Sequence, residues 1–135
     1  MKDRIVIDTG ALTLFFAGDT RVRPYFDRIS EDRAGGYISS VNLAEYYYKT
    51  CQKLGNQTAS LRYHQSRTIL AVVETDEKLT LDAGLEKCKR SVLSLADCFA
   101  LSLARTMNGV LLTTDHELAK VKDANVKLFE VGDTI

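Results

Sequence analysis

Apolar positions along the chain follow two rhythms. Short runs rich in β-branched and aliphatic residues stand at 5–7 (Ile-Val-Ile), 37–39, 72–74, 110–113 (Val-Leu-Leu-Thr) and 126–129. Unbroken runs of this kind, as opposed to strict alternation, mark strands covered on both faces. Between them the apolar residues recur at helical spacing. The first such stretch is Ala11, Leu12, Leu14, Phe15 and Phe16, stopped by Gly18-Asp19, and the next covers 22–29 with Pro24 in its first turn. Gly35-Gly36 reads as a break before the second strand. A helix over 41–54 takes Ser40 as its cap and ends at Gly55-Asn56, and 59–71 reads as its antiparallel partner. Further helices are predicted over 80–90, over 95–107 with Ser94 as cap and Asn108-Gly109 as stop, and over 117–121.

The resulting order is β-α-α-β-α-α-β-α-α-β-α-β. Strands separated by helices imply an α/β fold in three layers, with a central parallel sheet and helices on both faces. In such open sheets, sites form beyond the carboxyl ends of the strands, where the strand order reverses. A chain of 135 residues suits one domain spanning 1–135.

Composition narrows the picture only a little. Hydrophobic residues make up 45% and charged residues 27%, as in ordinary globular chains, and one Pro with eight Gly leaves no Pro/Gly-rich linker. Lys+Arg and Asp+Glu both count 18, which argues against a broadly basic nucleic-acid coat. A local basic rim around an acidic, metal-filled site can still attract phosphate, and zero net charge does little to keep copies apart. Cys51, Cys88 and Cys98 share no metal-ligand spacing, so free and mostly buried thiols in a reducing compartment are expected. The apolar run after Met1-Lys2-Asp3-Arg4 is too short for a signal peptide or membrane span, and a cytoplasmic location is expected.

Four acids carry the candidate chemistry. Asp8 and Asp115 each follow the end of a predicted strand, at the carboxyl edge of the sheet. Either can serve as helix-terminal chemistry alone: Asp8 as an N-cap, and Thr114 with Glu117 as a capping box around Asp115. Asp97 lies in a helix apolar nearly all round, where an unpaired carboxylate costs several kcal/mol unless a cation or strong hydrogen bonds hold it. The plainer reading makes Ser94 and Asp97 a capping pair. Glu45 shares a helical face with Asn42, Lys49, Gln52 and Lys53, and a solvated Glu45–Lys49 pair accounts for it equally well. Converging carboxylates suit hard cations such as Mg²⁺ or Mn²⁺, which activate water and polarise a phosphoryl group. His64 and His116 are isolated and read as surface residues, so no zinc site competes.

Taken together, Ile5-Val6-Ile7-Asp8-Thr9-Gly10-Ala11-Leu12, Asn42-Leu43-Ala44-Glu45, Ser94-Leu95-Ala96-Asp97 and Leu111-Leu112-Thr113-Thr114-Asp115 occur in the order seen in PIN domains, and the chain resembles that family over nearly its whole length. The resemblance implies a three-layer α/β/α PIN-like fold and an acidic set of Asp8, Glu45, Asp97 and Asp115 that binds Mg²⁺ or Mn²⁺. Short PIN proteins of this kind resemble the VapC toxins, endoribonucleases that are usually dimeric and restrained by a cognate antitoxin. RNA substrate, an antitoxin partner and a homodimer are therefore expected. Thr9 and Thr113 are similar to hydroxyl positions that steady the site in the family.

Two other readings stay open at this point. One is a phosphotransfer domain, disfavoured because Asp8 is followed by Thr9 and Gly10 where a phosphatase wants a second Asp two residues on. The other is an inactive scaffold that only binds a partner. Tyr46-Tyr47-Tyr48 cannot form one stacking platform, because successive helical residues point about 100° apart. Core packing or a dimer surface suits them better. Lys87, Lys89 and Arg90, and Arg21 with Arg23, form small basic clusters that read as solvated surface or as part of a phosphate path.

Overall fold

The computed structural model describes residues 2–132. The elements run β1 (Asp3–Ile7), α1 (Thr9–Phe16), α2 (Arg23–Ser30), β2 (Ala34–Ser39), α3 (Ser40–Leu54), α4 (Asn56–Ile69), β3 (Ala71–Val73), α5 (Glu77–Lys89), α6 (Leu95–Met107), β4 (Val110–Thr113), α7 (His116–Ala119) and β5 (Asn125–Leu128). This is the predicted order. The strands form one sheet in the order β3-β2-β1-β4-β5, and every pairing is parallel. The chain thus builds outward from β1 through β2 to β3, then returns to the other side of β1 for β4 and β5. The reversal falls between β1 and β4, so their carboxyl ends border the crevice where such sheets bind ligands.

Strand alternation sorts the core into two halves. Ile5 and Ile7 of β1, Ile38 of β2 and Leu112 of β4 pack with Leu12, Phe26, Leu43 and Tyr46 from the helices α1, α2 and α3. Val6 and Leu111 point the other way, into a second cluster with Leu79, Phe99, Leu101 and Leu118 from α5, α6 and α7. Asp8 continues the alternation on the Val6 side, and Thr113 on the Leu111 side. Both therefore face α6, a consequence of register alone.

Several predicted boundaries move, each for a local reason. The second strand begins at Ala34 and not at Tyr37, because Gly35 and Gly36 lie inside it and pair with Arg4 and Ile5 of β1. A Cβ on Gly36 would come within 2.6 Å of Ile29 and 2.8 Å of Leu70, so that glycine permits close packing and does not break the strand. Ser39, one residue before the expected Ser40, caps α3 by accepting the Asn42 N–H at 3.0 Å. Helix α4 starts at Asn56, three residues early, because Gly55 at φ +89° turns the chain directly from one helix into the next. Helix α5 also starts three residues early, capped by Asp76, whose side chain accepts the Leu79 N–H. Of the thiols only Cys98 is buried; Cys51 is half-buried and Cys88 exposed, which corrects the expectation of mostly buried cysteines. No helix among the described residues is long and apolar enough to cross a membrane.

Two glycines test the packing in opposite directions. Gly84 lies within α5 with open space around it, so Gly84→Ala should raise stability by about 0.5–1 kcal/mol. Gly36→Ala should lower it by about 1–3 kcal/mol through overpacking. Urea denaturation of both variants checks this, and equal midpoints would contradict it.

Candidate active site

Asp8 is the buried carboxylate of the molecule, with only 3% of its surface exposed. One oxygen accepts the Ala11 N–H at 2.8 Å and so caps α1. The other accepts a hydrogen bond from the Thr113 hydroxyl at the end of β4. That same hydroxyl accepts the Asp115 N–H at 3.0 Å, so a single threonine ties together the two strand ends that flank the reversal. Capping does not use up the carboxylate, because one oxygen caps α1 and the other meets Thr113 of β4.

Asp115 is itself the N-cap of α7, accepting the Glu117 N–H at 2.7 Å and the Leu118 N–H at 3.3 Å. The Thr114–Glu117 capping box expected from sequence therefore does not form. Thr114 instead lies against Gly10, where an added Cβ would stand 2.0 Å from its hydroxyl. Only glycine lets the first turn of α1 approach the β4–α7 loop this closely.

Asp97 sits in the first turn of α6, where Ser94 caps the helix by accepting the Asp97 N–H at 3.1 Å. Ala96 and residues 98–104 of α6 are buried as predicted, but Leu95 and Thr106 at its ends are exposed and Asp97 itself is only half-buried. The argument from burial made for Asp97 belongs to Asp8, because the first helical turn lies at the sheet edge, where α6 emerges from its neighbours.

Electrostatics brings these three acids together. Burial pushes the Asp8 carboxyl up from 3.8 to about 7, against the lowering effect of the Thr113 and Ala11 hydrogen bonds, and the charges of Asp97 and Asp115 push the same way. Asp97 is pushed up to about 6, by burial first and then by its interaction with the neighbouring Asp115 carboxyl. The starts of α1 and α6 both lie here, and a helix N-terminus favours an adjacent carboxylate by about 0.3–1 kcal/mol. The shifts run upward, so desolvation and mutual repulsion outweigh that help.

Glu45 is the fourth acid of the expected set. It lies one turn beyond Asn42 on α3, is part-exposed, and pairs with Lys49 at 3.7 Å. Asn42, noted from the sequence only as a neighbour of Glu45, proves to be a structural linchpin. It is buried, and its side-chain amide donates to the Ala96 carbonyl at 3.2 Å and to the Thr9 hydroxyl at 3.4 Å. Thr9 donates in turn to the Asn42 carbonyl at 3.2 Å. Helices α1, α3 and α6 are thereby locked together around the site. Asn42-Leu43-Ala44-Glu45 lay in the sequence as a motif, but only burial distinguishes its Asn from its Glu. Thr9 thus braces the helices, whereas Thr113 touches Asp8 directly.

The two basic clusters are largely committed within the chain. Arg21 pairs with Asp19 at 2.8 Å and donates to the Glu130 carbonyl, while Lys87 donates to the carbonyls of Ser91 and Leu93. Arg90 pairs with Glu86. Arg23 and Lys89 are exposed. His64 and His116 are exposed as expected.

Comparison with known proteins identifies the family. The model of the PIN domain family matches residues 5–124. The chain belongs to the PIN domain family. No curated protein sequence matches it significantly. Among solved structures, this PIN domain is similar to DNA-bound VapBC from Salmonella typhimurium, with a TM-score of 0.74 at 18% identity, covering 94% of this chain and 98% of that one. VapBC2 from Rickettsia felis, bound to a promoter DNA fragment, gives 0.73 at 16% identity over 94% and 99%. VapC20 from Mycobacterium tuberculosis, described as a toxin that cleaves the sarcin-ricin loop, gives 0.66 at 19% identity over 85% and 92%. At these identities the likeness is one of fold. A phosphotransfer fold is thereby set aside.

The pKa values of this PIN domain make its stability depend on pH in a definite direction. Asp8 and Asp97 hold protons more tightly folded than unfolded, so in metal-free buffer the fold gains from both below pH 3.8 and loses that gain as pH rises through about 6 and about 7. The melting temperature in chelator should fall over that window and level off above it. Asp8→Asn should remove most of the slope, and Asp97→Asn less, since its exposure screens it. A flat profile in the unaltered protein would contradict the assignment.

Proposed function

We propose that this PIN domain, occupying residues 1–135 as a single unit, is a metal-dependent endoribonuclease, the toxin of a toxin–antitoxin pair. The observation that carries the reading is the burial of Asp8 against Asp97 and Asp115 at the β1/β4 reversal, in a chain of this family. Support for the pairing comes from solved neighbours that are VapBC complexes. The accompanying expectations are an antitoxin partner, a homodimer, an RNA substrate and a cytoplasmic location.

The donor set suits Mg²⁺ or Mn²⁺. It is all carboxylate oxygen, no His or Cys lies in it, and its neighbours raise the proton affinity of Asp8 and Asp97, the strain that a cation relieves. Among the described residues no three His, Cys, Asp or Glu side chains already stand in a grip around one point, so binding requires Asp97 and Asp115 to close toward Asp8. Asp8, Asp97 and Asp115 are the proposed metal ligands and catalytic residues, with Glu45 completing the acidic set. A bound ion supplies Lewis-acid polarisation of the phosphoryl oxygen and a more acidic water.

The chain's own residues do the rest. Asp8, fixed by Ala11 and Thr113, gives the site one immobile carboxylate. Asp97 and Asp115, less constrained by burial, adjust to the substrate phosphate. Glu45, part-exposed beside Lys49, binds a second ion or orients the attacking water. Hydrolysis adds water across the P–O3′ bond and leaves a 5′-phosphate and a 3′-hydroxyl.

Cleavage of a single-stranded RNA in Mn²⁺ should cease in chelator and fall by roughly 10²-fold or more in Asp8→Asn and Asp97→Asn. Undiminished cutting in both variants would refute the nuclease reading. Calorimetry separates the enzyme from a partner-binding scaffold, since a scaffold takes up no Mg²⁺ or Mn²⁺ saturably. Co-expression with the product of the adjacent upstream gene should yield a stable complex and suppress the cutting.

A further inference from the structure

Beside the acids, on the β2–β3 side of the same sheet edge, lies a groove of about 450 Å³ between α3, α4 and the end of β3. Its walls include Leu43, Ala44, Tyr47, Tyr63 and Val72, and Arg67 stands at its side. The triple tyrosine is thereby divided. Tyr46 is buried and stacks on Phe16, Tyr48 is exposed, and Tyr47 turns into the groove, where its ring meets that of Tyr63 edge-on at 6.3 Å.

Arg67 is the unusual member. Its guanidinium lies over the Tyr63 ring, 5.8 Å from the centroid, and donates to the Tyr63 hydroxyl at 3.3 Å. Among the described residues it has no carboxylate partner, although eleven ion pairs form elsewhere and Glu74 lines the same groove. An exposed planar cation is thus held against an aromatic ring without a carboxylate partner. Unpaired bases are gripped in this way, on aromatic rings or on guanidinium planes.

We propose that this groove is a base subsite, in which Arg67, backed by Tyr63, stacks on an unpaired base of the RNA whose backbone crosses the acids. The inference rests on the nuclease reading for its substrate. Position supports it. The end of β3 lies two strands from β1, about 10 Å away at the spacing of a sheet, within reach of a nucleotide neighbouring the one at Asp8. The N-terminus of α3, which follows the end of the intervening strand β2, touches both places, with Ser40 on the groove and Asn42 braced against Thr9. A protein occupant would also bury Tyr47, but it leaves unexplained an unpaired cation at the edge that carries the acids.

The test measures binding and cutting separately. Anisotropy of a labelled short single-stranded RNA is followed in an Asp97→Asn background, with Arg67→Lys, Arg67→Ala and an abasic scan of the RNA. Stacking predicts that Arg67→Lys weakens binding roughly tenfold, as Arg67→Ala does, because lysine keeps the charge and loses the plane. The dependence of binding on salt should stay unchanged in Arg67→Lys. One abasic position should weaken the parent to the same extent and add nothing in Arg67→Ala. Full affinity in Arg67→Lys, or no abasic position coupled to Arg67, overturns the subsite while the nuclease reading stands. Intact RNA binding in every variant, with loss of assembly with a protein partner, overturns it in favour of a docking surface. RNA cutting undiminished in Asp8→Asn and Asp97→Asn refutes the acid assignment instead.

Discussion

The cost of burying one charge organises this structure. Asp8 stands where two parallel strands part, almost entirely out of water, and among the described residues no cation pairs with it. Two hydrogen bonds lower its proton affinity and do not restore it to an ordinary carboxylate. A hydrogen bond to a charged group contributes about 1.5–3 kcal/mol, whereas desolvating an ion costs several. The remainder is what a cation would recover. A fold selected for stability alone would place a neutral residue here.

The surroundings are built to keep that carboxylate where it is. Thr113 bridges the ends of β1 and β4, Gly10 lets α1 close against the β4–α7 loop, and Asn42 joins three helices through its side chain. None of these residues brings charge. Each restrains the backbone around Asp8, while the more exposed carboxylates of Asp97 and Asp115 stand on the rim. A buried carboxylate beside more exposed ones suits a cation that arrives with its own waters and a substrate phosphate.

Much of this was legible before any coordinates. The order of elements, α6 with its cap and stop, and β4 were plain from periodicity, because long apolar helices and β-branched runs leave few alternatives. The positions of Asp8 and Asp115 just beyond strand ends followed from the same pattern. Boundaries failed where a glycine carried more than one meaning. Gly35 and Gly36 look like a break in isolation, and only the packing of Ile29 and Leu70 over them shows why a strand needs them.

The sequence by itself determined which acids lie at the carboxyl edge, since strand polarity and alternation are local properties of the chain. It could not rank those acids. Burial is a property of what the rest of the chain places overhead, so Asp8 rather than Asp97 emerged as the desolvated member only once α1, α3 and α6 had closed around it. The bracing role of Asn42 and the meeting of Tyr47 with Tyr63 are likewise decided by tertiary structure. Residues on different helices share no local signal, and only the way those helices cross the sheet brings their side chains into contact.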